Sequence, residues 1–303
     1  MRNKVIITGA SGFVGTNFCK YLSKEKIYYQ ELNRELLSND LESIFDLEAD
    51  TLIHLAGKAH DLKSTTNSEE YYEVNYELTK SLYDSFLKSN LRKFVFVSSI
   101  KAVADSAVGI LDEATVPDPK THYGRSKLMA ENYIIAQTLP PDKSFYILRP
   151  CMIHGPENKG NLNMLYKLIS KGFPYPLASY KNKRSFLSID NLCFILKELI
   201  INNKIPSGTY NIADNEALLI NDVVTILSEA VGRKVKLWFI PKQILEILAR
   251  IGDFLKLPIT TERLSKLTEN FLVDNRKIRD VLIKELPVNA KAGMIKTAKS
   301  FSK

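Results

Sequence analysis

Short apolar runs alternate with longer amphipathic stretches through the first half of the chain. Val5–Thr8, Tyr28–Leu32, Thr51–His54, Phe94–Ser98 and Phe145–Leu148 are rich in β-branched and aromatic residues and read as strands. Between them, segments beginning at Gly12, running about Glu69–Lys88 and running Tyr123–Ala136 read as helices. Parallel strands need crossover connections, usually helical, and are buried on both faces. The pattern therefore predicts an α/β protein built on a parallel sheet with helices on both sides. After Pro156 the rhythm loosens, and Pro174, Pro176 and Pro206 mark loops. The chain shows no internal repeat and no low-complexity tract.

The first strand runs into Thr8-Gly9-Ala10-Ser11-Gly12-Phe13-Val14-Gly15 and then into helix-like Thr16–Leu22. A dinucleotide site needs that order. Glycine lets the backbone turn sharply against a pyrophosphate, and a helix N-terminus offers N–H groups to the anion. Gly9, Ser11, Gly12, Phe13, Val14 and Gly15 are the candidate contacts.

Farther along, Tyr123-Gly124-Arg125-Ser126-Lys127 follows the strand Phe94–Val97 and its polar end Ser98-Ser99. A free phenol has a pKa of about 10, too high for easy proton exchange at neutral pH. Residues four apart share a helix face, so Lys127 is expected to set its ammonium near the Tyr123 oxygen and draw that pKa down. Ser99, at the carboxyl end of a buried strand, lies where ligands bind in doubly wound folds. With 14 tyrosines in the chain such pairs also arise by chance, and Tyr76 with Lys80 is one; it precedes the strand and reads as an ordinary amphipathic helix face.

Together with His54-Leu55-Ala56-Gly57, Val74-Asn75, Arg149–Pro156, Asn161-Leu162, Arg184–Asp190 and Tyr210–Ala213, in this order, these motifs resemble the extended short-chain dehydrogenases/reductases. Within them the match is to the NAD-dependent epimerase/dehydratase family acting on nucleotide sugars. The resemblance runs over nearly the whole chain. One departure is His154, where relatives usually carry tyrosine.

The resemblance implies a Rossmann-type doubly wound parallel sheet with a smaller C-terminal substrate-binding lobe. Residues 1–155 plus about 186–214 are expected to bind NAD(P), and residues 156–185 plus about 215–303 the nucleotide sugar. Compared with relatives, the segment between Asn33 and Asp50 is compressed. The family pattern makes Ser99, Tyr123 and Lys127 catalytic. It places Asp40 and Leu41 at the adenine and adds Leu55, Ala56, Gly57, Asn75 and Pro150 to the cofactor site. Asn161 is expected at the diphosphate or uridine side, Arg184 at a phosphate and Lys101 near the sugar, with Arg263 and Arg276 as weaker candidates. It also implies a homodimer pairing the helices that contain Glu69–Lys88 and Tyr123–Ala136.

Relatives that dehydrate carry an Asp-Glu pair after the catalytic serine or threonine; here those places hold Ile100 and Lys101. Isoleucine exchanges no proton, so dehydration is not expected. Ser-Ser-Ile-Lys, Lys159-Gly160-Asn161 and Leu264–Asp274 look most like the nucleotide-sugar 4-keto-reductases, which reduce UDP-2-acetamido-2,6-dideoxy-4-hexuloses for cell-surface polysaccharide. A UDP-hexose 4-epimerase with tightly held NAD would use the same residues. A non-catalytic dinucleotide-binding regulator fits less well, because all three catalytic positions are filled.

A relative specific for NAD carries an acid at the end of the second strand for the ribose 2′-hydroxyl. Here that place falls near Asn33-Arg34, and a guanidinium suits a 2′-phosphate. NADP(H) is therefore favoured over NAD(H), with Glu31 as the acid if the strand ends early.

The composition, 45% hydrophobic and 25% charged, is ordinary for a soluble globular protein, and 303 residues suffice for a two-lobed enzyme. A net charge of +8 invites a nucleic-acid reading, but the lysines are scattered and no binding module is visible; a positive cleft serves anionic ligands as well. Cys19, Cys151 and Cys193 form no paired motif, and the chain enters its first strand without a signal peptide, so a cytoplasmic enzyme is expected. His54, His60, His122 and His154 share no metal-ligand spacing, so no metal is expected. The apolar passage Leu237–Ile251 is interrupted by Lys242, Gln243, Glu246 and Arg250. It is too short and charged for a membrane span and reads as a helix packed on the substrate lobe rather than one lying on a membrane surface.

Overall fold

A computed structural model of the chain describes residues 5–33, 49–58, 68–107, 109–158, 160–256 and 259–302. Among the described residues, six parallel strands form the central sheet: β1 (Val5–Thr8), β2 (Tyr29–Leu32), β3 (Thr51–His54), β4 (Lys93–Val97), β6 (Ser144–Pro150) and β10 (Gly208–Ile212). Their spatial order is β10-β6-β4-β3-β1-β2. The direction of winding reverses beside β1, which opens a crevice at the carboxyl ends of β1 and β3. The parallel sheet predicted from the alternating pattern is present, in the Rossmann-type doubly wound form that the resemblance implied.

Successive strand residues point to opposite faces, and the two sides of the sheet bury different sets. On one side Val5, Ile7, Ile53, Val95 and Leu148 meet α1 (Phe13–Lys24) and α6 (Ile189–Ile201) through Phe18, Leu22, Leu192 and Leu196. On the other, Ile6, Leu52, Phe94, Phe96 and Ile147 meet α3 (Leu78–Lys88) and α4 (His122–Ala136) through Leu82, Phe86, Ala130 and Ile134. The helix predicted over Glu69–Lys88 is not uniform. It comprises α2 (Ser68–Tyr72), a π-helical turn Glu73–Glu77, and α3. Tyr76 and Lys80 of that segment pack on Tyr133 of α4, as an ordinary helix face does.

Short strands tie down the loops beyond β4: β5 (Ile110–Leu111) pairs with β12 (Leu272–Val273), β7 (Met152–His154) with β9 (Phe186–Ser188), and β8 (Lys183–Arg184) with β11 (Leu218–Leu219). A further apolar cluster joins α5 (Asn161–Ser170), α7 (Ile220–Ala230) and α11 (Ala290–Ser300) through Leu162, Tyr166, Val223, Leu227 and Met294. α8 (Lys242–Leu255) and α9 (Thr261–Thr268) pack on each other at the edge of this region, and α10 (Arg276–Leu282) returns to the sheet beside β10. Among the described residues no helix is long and apolar enough to cross a membrane.

Candidate active site

The turn after β1 is built for close approach. Gly9 sits at φ +73°, in the left-handed region, and a Cβ there would collide with the backbone of Ala56. A Cβ at Gly15 would collide with the Gly9 carbonyl and the Ala10 backbone. Both glycines are needed for α1 to begin tight against the strand. Gly12 is the N-cap of α1 and supplies no capping side chain, so the first N–H groups face the turn, beside exposed Ser11. Phe13 packs on the sheet core, and Val14 and Leu55 reach the cleft.

At the far side of the crevice, Thr121 caps α4 by accepting the Gly124 N–H at 3.2 Å, and Asp105 accepts the Lys120 and Thr121 N–H groups. Gly124 lies against the Lys101 carbonyl with no room for a Cβ, which explains the glycine beside Tyr123. This start aims Tyr123 and Lys127 into the same cleft. Ser99, only 8% exposed, hydrogen-bonds the Tyr123 phenol, and Tyr71 meets its ring edge-on at 6.2 Å. The Lys127 ammonium donates to the Val97 carbonyl at 3.1 Å and lies 4.7 Å from the Phe96 ring centre.

The electrostatics differ from the simplest expectation. Burial raises the Tyr123 phenol above its ordinary pKa, the Ser99 hydrogen bond pulling against it and the Tyr71 phenol adding to the rise. Burial also lowers Lys127 to about 8, partly opposed by Glu131. Ser98 is committed elsewhere: its hydroxyl donates to Glu131 Oε1 at 2.5 Å, and Glu131 Oε2 accepts the Arg149 Nε and Nη2 at 3.0 and 2.6 Å.

Asn75, fully buried in the π-helical turn, accepts the Lys58 N–H at 2.8 Å and donates to Ser126 Oγ and the Lys58 carbonyl. It fixes the chain after Gly57, where a Cβ would come within 3.0 Å of both Asn75 Oδ1 and Lys127 Nζ. A single-turn π-bulge is a common device for aiming a side chain at a functional site. His54 spans Thr8 Oγ1 and Thr79 Oγ1 at 2.7 and 2.9 Å, and burial holds its pKa down to about 3. It is a neutral clasp between strands and helix.

The cleft has a volume of about 400 Å³ and gathers Val14, Leu55, Gly57, Ser99, Tyr123, Lys127, Pro150 and Asn161 from the sequence-derived set. Gly9, Gly12, Gly15, Ala56 and Asn75 shape it from behind. Met152, Ile153 and Leu162 also line it, from within quoted motifs but with no contact assigned to them, and Lys58 and Asn158 line it and escaped the sequence reading. Of these last two, only Lys58, directly after the Leu-Ala-Gly motif, had a signal that could have flagged it.

Lys101 is not brought to the cleft. Its ammonium donates to the Asp105 carbonyl at 2.7 Å and lies over the Phe271 ring. Arg184 lines a second, mostly apolar cavity of about 460 Å³ that shares Met152, Asn161 and Leu162 with the cleft. There Arg184 donates to the Lys266 carbonyl, and its buried Nε has no hydrogen-bond partner among the described residues. β2 runs through Glu31 to Leu32, so Asn33 stands at its tip. Arg34, Asp40 and Leu41 lie outside the described residues. His154 is buried away from the cleft, 2.8 Å from Thr297 Oγ1 and 3.6 Å from Asp214 Oδ2.

Comparison with known proteins gives a consistent result. The model of the NAD dependent epimerase/dehydratase family matches residues 5–213. A UDP-glucose 4-epimerase of Vibrio cholerae is 28% identical over 321 residues, covering 99% of this chain and 96% of that protein. An N-acetyl-α-D-glucosaminyl-diphospho-ditrans,octacis-undecaprenol 4-epimerase of Escherichia coli O157:H7 is 29% identical over 255 residues, covering 80% of this chain and 76% of that protein. Among solved structures, UDP-glucuronic acid 4-epimerase from Bacillus cereus in complex with NAD shares the fold. Its TM-score is 0.75 at 20% identity, over 98% of both chains.

Proposed function

The chain belongs to the NAD-dependent epimerase/dehydratase family, and from that premise we propose that it moves hydride at C4 of a diphosphate-linked hexose, with 4-epimerisation as the net reaction. One observation carries this reading: Ser99, Tyr123 and Lys127 meet in one cleft beside the glycine turn. The 4-epimerases matched along the chain support the net outcome.

The residues fit a nicotinamide dinucleotide. The α1 N-terminus offers N–H groups to a pyrophosphate, and the bare backbone at Gly57 leaves room beside Lys127. When bound, the coenzyme supplies or withdraws the hydride at the sugar carbon. Tyr123 exchanges the proton of the sugar O4, Ser99 orients that exchange, and Lys127 holds ribose hydroxyls while favouring the phenolate. Burial favours the acid form of Tyr123 that returns the proton to O4, while the opposite half, in which the phenolate takes that proton, relies on the Ser99 hydrogen bond and the Lys127 charge. Ile100, buried after Ser99, offers no acid for dehydration. Asn161 at the start of α5 and Arg184 in the adjoining cavity are the groups for the diphosphate side.

The lobes follow the same division: residues 1–155 with about 186–214 for cofactor, 156–185 with about 215–303 for substrate. The return of β10 to the sheet supports it. α3 and α4 would pair with their copies in a cytoplasmic homodimer, where α4 presents exposed Met129 and Ile135.

Net reduction of a UDP-2-acetamido-2,6-dideoxy-4-hexulose by NADPH is the second reading. It is favoured by Asn33, which offers no carboxylate to a ribose 2′-hydroxyl at the tip of β2. The two readings separate on the purified protein. A 4-epimerase carries bound NAD and interconverts UDP-GlcNAc with UDP-GalNAc, or UDP-glucose with UDP-galactose, without added reductant. The reductase consumes one NADPH per 4-keto sugar. Failure of both assays would reject the C4 chemistry.

A further inference from the structure

We propose that α8 is a membrane-docking helix that seats the C-terminal lobe on the surface of an anionic lipid bilayer. The helix buries Leu245, Ala249 and Gly252 against the lobe. A surface helix needs an apolar stripe of about 100° for that purpose. α8 carries a second apolar face beside the first: Ile244, Ile247, Leu248, Ile251, Phe254 and Leu255 recur at helical spacing and are all exposed, Phe254 at 87%. Contiguous exposed apolar surface of this kind marks an interaction site. The loop leading into the helix adds Trp238 and Phe239, 51% and 66% exposed.

The surrounding charges select the occupant. Lys234, Lys236, Lys242, Arg250 and Lys256 lie along or beside the helix. The acids there are fewer, Glu246 and Asp253, both exposed, and Asp253 is engaged by α9, accepting the Thr261 N–H at 3.1 Å and the Thr261 hydroxyl at 2.7 Å. An apolar face rimmed by cations, with aromatic rings at one end, matches the boundary of a bilayer bearing anionic headgroups. With 14 residues, α8 extends about 21 Å at 1.5 Å per residue, short of the ~30 Å hydrocarbon core, so it lies in the interface rather than crossing it. The sequence reading of a packed helix is half the answer: one apolar face packs and the other is presented. Leu177 packs on the buried face and also lines the apolar cavity beside the cleft, so docking sets that cavity next to the membrane surface.

Trp238 is the single tryptophan of the chain, which makes its emission a direct probe. The full-length protein is mixed with phosphatidylglycerol-containing vesicles and with pure phosphatidylcholine vesicles, and binding is read by co-sedimentation and by Trp238 emission. The expected result is binding to the anionic vesicles with a blue shift, weakened by high salt. Ile251→Asp and Phe254→Asp should each lower binding about tenfold or more while melting temperature and turnover of soluble substrate stay unchanged. Arg250→Glu should weaken binding to the anionic vesicles alone. Absence of vesicle binding would overturn the proposal. So would concentration-dependent self-association in the absence of lipid that Phe254→Asp abolishes, since that assigns the face to a second copy.

Discussion

Ser98 donates its hydroxyl to Glu131 Oε1 at 2.5 Å, a bond buried beneath the catalytic cleft. The next residue, Ser99, lines the same cleft and hydrogen-bonds Tyr123. Two adjacent serines therefore have opposite duties. Ser98→Ala leaves a buried carboxylate oxygen without its donor and should cost about 1–3 kcal/mol of stability with little change in kcat. Ser99→Ala should leave the melting transition nearly unmoved and lower kcat about 10²-fold. Denaturant titrations beside steady-state rates separate the two.

Glu131 also holds Arg149, with both side chains essentially out of water. Removing one charge from such a pair strands the other. Glu131→Gln is expected to destabilise the fold by about 3 kcal/mol, read from the denaturant midpoint. A midpoint within experimental error of the parent protein would show that the pair is dispensable.

Lys127 titrates near pH 8 because burial disfavours its charge. Between about 8 and its ordinary 10.5 it binds fewer protons folded than unfolded. Burying the ammonium thus costs stability below pH 8, and that cost fades as pH rises toward 10.5. Lys127→Met should be more stable than the parent at pH 7, by on the order of 2 kcal/mol, and the gap should close by pH 10. Dinucleotide affinity should follow the opposite course, falling in the parent above pH 8 and staying weak and flat in the variant.

Much of this was legible in the primary structure. Short continuous apolar runs between stretches of helical spacing located the sheet strands, since strands buried on both faces tolerate little else. Gly9 and Gly15 announced the turn, because their conformation and crowding admit no other residue. Neither the π-helical turn that aims Asn75 nor the commitment of Ser98 to Glu131 could be read there. Both depend on contacts between segments distant along the chain. Lys101 illustrates the converse: adjacency to Ser99 placed it near the sugar, but one 3-10 turn sends its ammonium to Asp105 and Phe271. The pKa direction of Tyr123 was misjudged because a charge four residues away is visible in sequence and desolvation is not.

Turnover of Tyr123→Phe, measured together with its dinucleotide affinity, tests the catalytic assignment most directly. Phenylalanine keeps the ring against Tyr71 and removes the oxygen that Ser99 binds. The expected result is a loss of about 10²–10⁴ in kcat with affinity for the cofactor nearly intact. Turnover equal to the parent's would show that the proton passes through some other group.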